Sequence, residues 1–64
     1  MKWNGNEVIL EKETFLLALL EERQYALGKI AVELNGEIVP KSRYAEVIIQ
    51  NKDIIEVVSF VGGG

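Results

Sequence analysis

The residues with the most chemistry to offer are the last three, Gly62-Gly63-Gly64. They follow the most apolar stretch of the chain, Ile54 to Val61, and nothing is written after Gly64. The expectation is a free α-carboxylate at the end of a thin stalk without side chains. Terminal glycines are ordinarily frayed ends or linker remnants, so the tail has to be weighed against every other group that could react. The chain has no cysteine and no histidine. That removes disulfides, Cys-rich metal sites and the commonest nucleophile and base pairs. There is no glycine-rich phosphate loop, and the seven basic residues are scattered over a chain of net charge −3. Such a surface repels a phosphate backbone, which argues against nucleic-acid binding. The terminal carboxylate remains as the candidate reactive group, with the rest of the chain holding and displaying it.

Sixty-four residues make one small domain, read as residues 1–61 with 62–64 as a flexible tail. A chain this short buries about 60% of the surface it exposes when unfolded, so its core must be continuous. With 48% apolar and 27% charged residues the composition is that of a folding chain. Met1-Lys2-Trp3 is followed by no long apolar run, so neither a signal peptide nor a membrane span is expected, and cytoplasmic residence is the default.

The elements that must position the tail can be taken in order. Asn4-Gly5 supplies two residues tolerant of positive φ, as a tight primed turn requires. It joins an arm in which Met1 and Trp3 share a face to a short arm, Glu7 to Leu10. Thr14 is a candidate N-cap. Phe15, Leu16, Leu19 and Leu20 then fall on one helical arc, with Glu21 and Glu22 off it toward solvent and Leu17 outside the stripe and partly exposed. Arg23 lies where its stem can follow the apolar arc while its cation favours the helix C-terminus. Gly28 is the candidate stop for the helix or its trailing turn. Ile30, Val32 and Leu34 alternate with Ala31 and Glu33 as in a half-buried strand. Asn35-Gly36 turns the chain into Glu37-Ile38-Val39, and Pro40 ends the pairing. Lys41 to Glu46 reads as one short helical turn that Ser42 could cap. Val47-Ile48-Ile49 is expected to tuck under the connection to the last strand, with Asn51-Lys52-Asp53 as a turn.

The last strand, Ile54 to Val61, is β-branched and apolar on both faces, so it belongs inside a sheet, flanked on both edges. If the helix covers one face, this strand slots beside the first and runs parallel to it. The expected architecture is an α+β roll, a β-grasp: a mixed sheet of four to five strands packed on one helix. Glu56 must avoid the covered face, which turns Ile55 and Val57 inward. Val58 and Phe60 then share the open face with Glu56, next to Val61 and the tail. Exposed apolar residues there would form a docking patch for a partner; the competing reading makes Phe60 the last residue of the core.

Asn35-Gly36-Glu37-Ile38-Val39-Pro40 and the ending Phe60-Val61-Gly62-Gly63-Gly64 carry a further likeness, together with Arg43-Tyr44-Ala45-Glu46, Asn4-Gly5 and the Thr14-led leucine helix. In order and length over the whole chain these resemble the bacterial sulfur-carrier family of thiamine biosynthesis, ThiS, a ubiquitin-like β-grasp family. Asn51-Lys52-Asp53 and Ser59 depart from the common family pattern, away from the terminus. The resemblance implies that an E1-like adenylating enzyme uses ATP to activate the Gly64 carboxylate. Sulfur drawn from cysteine through a desulfurase then forms a thiocarboxylate at Gly64, and thiazole synthase accepts it. On this account the chain is a protein cosubstrate and not an enzyme. It binds no cofactor itself, has no nucleic-acid or membrane partner, and is monomeric when free. Gly62 and Gly63 would thread the partner's active site, because four extended residues reach at most roughly 14 Å and a β-carbon would widen the thread. Two alternatives share parts of this reading: the small sulfur-carrier subunit of molybdopterin synthase, and a ubiquitin-like modifier joined to lysines. A plain interaction module is a third.

Overall fold

The computed structural model describes residues 1–60, and Val61 to Gly64 lie outside the described residues. In chain order the strands are β1 (Lys2–Trp3), β2 (Asn6–Glu7), β3 (Thr14–Phe15), β4 (Ile30–Leu34), β5 (Glu37–Val39), β6 (Ile48–Ile49) and β7 (Ile54–Ser59), with helix α1 (Leu16–Glu22) after β3. Five strands form one sheet in the order β2-β1-β7-β4-β5, while β3 and β6 form a separate two-stranded ribbon. Strand β7 runs parallel to β1 and antiparallel to β4. The expected β-grasp is therefore present, with β7 central.

Both Asn-Gly turns take the conformation their residues favour. Asn4 and Gly5 have φ of 50° and 84°, and Asn35 and Gly36 have 52° and 88°. Positive φ at both central positions gives the twist that a two-residue hairpin needs. A side chain at either glycine would meet no steric obstacle, so the backbone conformation is what selects glycine there.

Helix α1 begins later than Thr14 suggests. Thr14 and Phe15 are extended and pair with Ile49 and Ile48, and the Thr14 hydroxyl donates to the Lys12 carbonyl. No side chain caps the helix. Instead the Leu16 and Leu17 amides donate to the Val47 and Tyr44 carbonyls at 2.8 and 3.0 Å, so the returning chain satisfies donors that a cap would have taken. Phe15 is thereby carried off the helical arc and is 49% exposed. Leu16, Leu19 and Leu20 are buried as expected, against Trp3, Val32, Ile49 and Ile55. Seven residues are too few for a stable isolated helix, so α1 depends on this packing.

Gln24, not Gly28, ends α1. Its φ is 61°, its amide donates to the Glu21 carbonyl, and the Tyr25 amide donates to the Leu20 carbonyl. This pair of bonds is the Schellman closure, with glutamine at the position glycine usually holds. Gly28 lies in a 3₁₀ turn, Leu27–Lys29. Arg23 stacks on the Trp3 ring, 4.5 Å from its centroid, which gives its half-buried stem and its charge a shared partner. A second 3₁₀ turn, Lys41–Arg43, starts after Pro40 without a side-chain cap from Ser42. It delivers Tyr44 into the core.

Two outcomes follow. Gln24→Gly relieves a left-handed residue whose conformation costs roughly 1–2 kcal/mol; urea denaturation should show a gain of about 1 kcal/mol, and an unchanged or lowered midpoint would contradict the closure. Burial raises the Tyr44 pKa above the ordinary tyrosine value. The folded state therefore holds this proton more tightly than the unfolded state. Its contribution is fully present below about pH 10 and is lost as pH rises through the folded pKa. Tyr44→Phe should lose less stability than the unmodified chain when denaturation is repeated above that pH.

Candidate functional site

The base of the tail is built by β7, and hydrogen bonds fix how that strand lies. Asn35 grips its start: the backbone amide donates to the Ile54 carbonyl, and the side-chain carbonyl accepts from the Ile54 amide at 2.9 Å. The Asn35 side-chain amide in turn donates to the buried Asp53 carboxylate, which also accepts from the Gln50 amide. On the other edge Asn4 takes over where β1 stops. Its backbone amide donates to the Ile55 carbonyl, and its side-chain oxygen accepts from the Val57 amide at 2.7 Å. Beyond Ser59, the Phe60 amide donates to the Lys29 carbonyl at 2.8 Å, so the ladder with β4 continues to the last described residue.

This register settles the faces. Ile55 and Val57 are buried beneath α1, while Val58 and Phe60 are 59% and 54% exposed. Phe60 is thus a surface residue and not the end of the core. Val58 lies opposite Ala31, and Glu56 lies opposite Glu33, which in turn lies opposite Ile38. Ile38 is 64% exposed. The open face therefore carries apolar residues around a directly opposed pair of carboxylates, an arrangement that weakens a sheet when like charges face each other. Val58 and Phe60 are brought together as the alternation requires. Val61, Gly62, Gly63 and Gly64, the other residues singled out in the sequence, lie outside the described residues.

The neighbours that complete this face were not legible in the sequence. Ala31 and Glu33 share a parity that could be read from their strand, but which residue of β7 each one meets depends on a pairing register between distant segments. Among the described residues no cluster of acidic side chains could hold a metal ion, and no helix is long and apolar enough to cross a membrane. Among the described residues, one surface depression lies beside β5 and the following turn and another between residues 8–14 and α1. At the base of the tail the chain offers a surface and a strand.

Comparison with known proteins bears directly on this arrangement. The model of the ThiS family matches residues 3–64. The sulfur carrier protein ThiS of Bacillus subtilis is 42% identical over 65 residues, covering 100% of this chain and 98% of that protein. The chain belongs to the ThiS family. It is also 46% identical over 61 residues to a thiazole synthase of Paramagnetospirillum magneticum. That match covers 95% of this chain but spans only 19% of the longer protein. A crystal structure of the thiamine biosynthesis protein ThiS from Geobacter metallireducens has a TM-score of 0.82 and 24% identity, covering 98% of this chain and 96% of that one. At that identity the likeness carries the fold, and the ThiS β-grasp is what the two chains share.

The opposed carboxylates give a direct test of the face. Glu56→Gln removes the repulsion with Glu33 and should stabilise the chain by about 0.2–1 kcal/mol. The gain should be largest at low ionic strength and shrink as salt is added. Equal denaturation midpoints for the two chains at low salt would show that the pair is not in contact in solution.

Proposed function

We propose that this chain is a sulfur carrier whose Gly64 carboxylate is the group that is loaded and unloaded. A free carboxylate resists attack by sulfur because oxide would have to leave. An adenylating enzyme removes that obstacle by joining the carboxylate to AMP from ATP, with pyrophosphate released. The terminal sulfur of a protein persulfide then attacks the acyl carbon, AMP departs, and cleavage of the sulfur–sulfur bond by a thiol leaves the thiocarboxylate. A cysteine desulfurase is the source of that persulfide in this reading. Thiazole synthase is the acceptor, in the cytoplasm where ATP is available. ATP belongs to the adenylating partner, and this chain contributes no catalytic side chain.

The observation that carries the proposal is that the family match runs through Gly64, on a chain without cysteine or histidine. Gly64 is the acceptor. Gly63 and Gly62 keep the last residues narrow enough to enter a site that excludes water, because neither has a β-carbon. In this reading the exposed Val58 and Phe60, together with Val61, are the residues that dock the partner. The likeness to a segment of a longer thiazole synthase supports that enzyme as the sulfur acceptor.

Intact-mass measurement tests this. Incubated with ATP, the adenylating enzyme, a desulfurase and cysteine, the chain should gain the mass difference of one sulfur replacing one oxygen. Deleting Gly64, or Gly64→Ala, should abolish or sharply reduce the gain. Equal sulfur incorporation by the deleted chain would sink the proposal. Recovery of lysine conjugates in place of the thiocarboxylate would replace it with a modifier.

A further inference from the structure

The two edges of β7 are not equally occupied. In the pairing with β4, the hydrogen bonds at Ile54 and Phe60 show that even-numbered residues of β7 direct their amides and carbonyls to β4. By the alternation of an antiparallel ladder, the odd-numbered residues direct theirs the other way. The Ile55 carbonyl and the Val57 amide do so, and both are taken by Asn4. Strand β1 spans only Lys2–Trp3, pairing with Ile54 and Ile55. Beyond the Asn4 side chain, the Val57 carbonyl and both backbone groups of Ser59 therefore face outward with no strand beside them among the described residues. This open edge lies beside the exposed Val58 and Phe60, in the last part of the sheet before the tail.

We propose that this edge receives an extended backbone segment of the enzyme that activates the terminal carboxylate, which adds a strand to the sheet beside Val57–Phe60. The inference rests on the sulfur-carrier reading and deepens it. A row of unpaired backbone donors and acceptors recognises another extended backbone, and alternate side chains supply apolar contacts, as in strand addition. The Asn4 side chain already occupies the adjacent position in that row, so the edge has the spacing of a ladder. Its continuity with the tail selects the occupant. An added strand that holds Ser59 fixes the direction in which the chain leaves the sheet, five residues before Gly64 in sequence. It would thus aim the carboxylate as well as add affinity. Parallel pairing and antiparallel pairing both use the same Ser59 groups.

Ser59→Pro separates this edge from the fold. Proline removes an amide hydrogen that β4 does not use, on an edge where proline is tolerated, and its ring obstructs an incoming strand. Ser59→Ala keeps the amide and serves as the control. With the adenylating enzyme and ATP, Ser59→Pro should bind about tenfold more weakly or worse and load sulfur correspondingly slowly below saturation, while Ser59→Ala behaves as the unmodified chain. Amide hydrogen exchange on the unmodified chain gives a second readout that needs no variant. The Ser59 amide should exchange freely alone and become protected when the enzyme is added. Equal binding by folded Ser59→Pro, or a Ser59 amide that stays unprotected in the complex, overturns the edge while leaving the sulfur-carrier reading intact. Protection that grows with the chain's own concentration assigns the edge to a second copy and likewise overturns the proposal. If the unmodified chain binds no adenylating enzyme and gains no sulfur, the carrier reading fails and the edge proposal falls with it.

Discussion

The structure depends on holding one strand from both sides with very little chain. Strand β7 crosses the middle of the sheet, yet β1 offers it only two residues. The deficit is covered by asparagine side chains from the two tight turns. Asn4 extends the β1 edge by imitating a backbone carbonyl, and Asn35 closes the start of the β4 edge with both its amide and its side chain. Each turn thus does two things: it reverses the chain and it supplies a hydrogen bond to a strand far away in sequence. In a small domain this matters, because total stability at this length is about 3–10 kcal/mol. Each unsatisfied buried backbone group would cost about 1–3 kcal/mol.

Helix α1 is subject to the same economy of length. Its seven residues cannot sustain themselves, and their first amides are satisfied by carbonyls of Val47 and Tyr44. The segment after β5 is therefore structural in two ways, since it fills the core with Tyr44 and Ile49 and also completes the helix. Asn51 adds a further tie. Its side chain both donates to and accepts from the backbone of Leu10, so the turn before β7 is fastened to the loop after β2. The sheet, the helix and the irregular connections are consequently one cooperative unit around β7.

Much of this was legible in the residues. Asn-Gly pairs named both turns because few residues accept positive φ, and the β-branched run from Ile54 named the central strand. Glu56 fixed which residues of that strand face outward, and the leucine spacing found the buried helical face. Features that depended on distant partners were not legible. Thr14 has the chemistry of a cap, but pairing with Ile49 draws it and Phe15 into an extended segment. Gly28 has the chemistry of a stop, but nearer the helix Gln24 takes the left-handed conformation first, closed by the local bonds from Gln24 to Glu21 and from Tyr25 to Leu20, which glutamine does not signal in a sequence. For the candidate site, the alternation around Glu56 placed Val58 and Phe60 on the open face, with Phe60 as the end of the core left as the competing reading, and both are exposed; the terminal glycines lie outside the described residues. The opposition of Glu33 to Glu56 and the half-open edge of β7 could not be read, because both arise from register.

The two clamping asparagines are also the two that precede glycine, the sequence in which asparagine deamidates most readily, since glycine leaves the following amide free to attack the side chain. The consequences of such ageing would be unequal. At Asn4 the side-chain oxygen only accepts, from Val57, and a carboxylate can still do that. At Asn35 the side-chain nitrogen donates to Asp53, and conversion to aspartate would set two carboxylates against each other at the start of the central strand. Conversion to aspartate thus disturbs the hold on the central strand more at residue 35 than at residue 4.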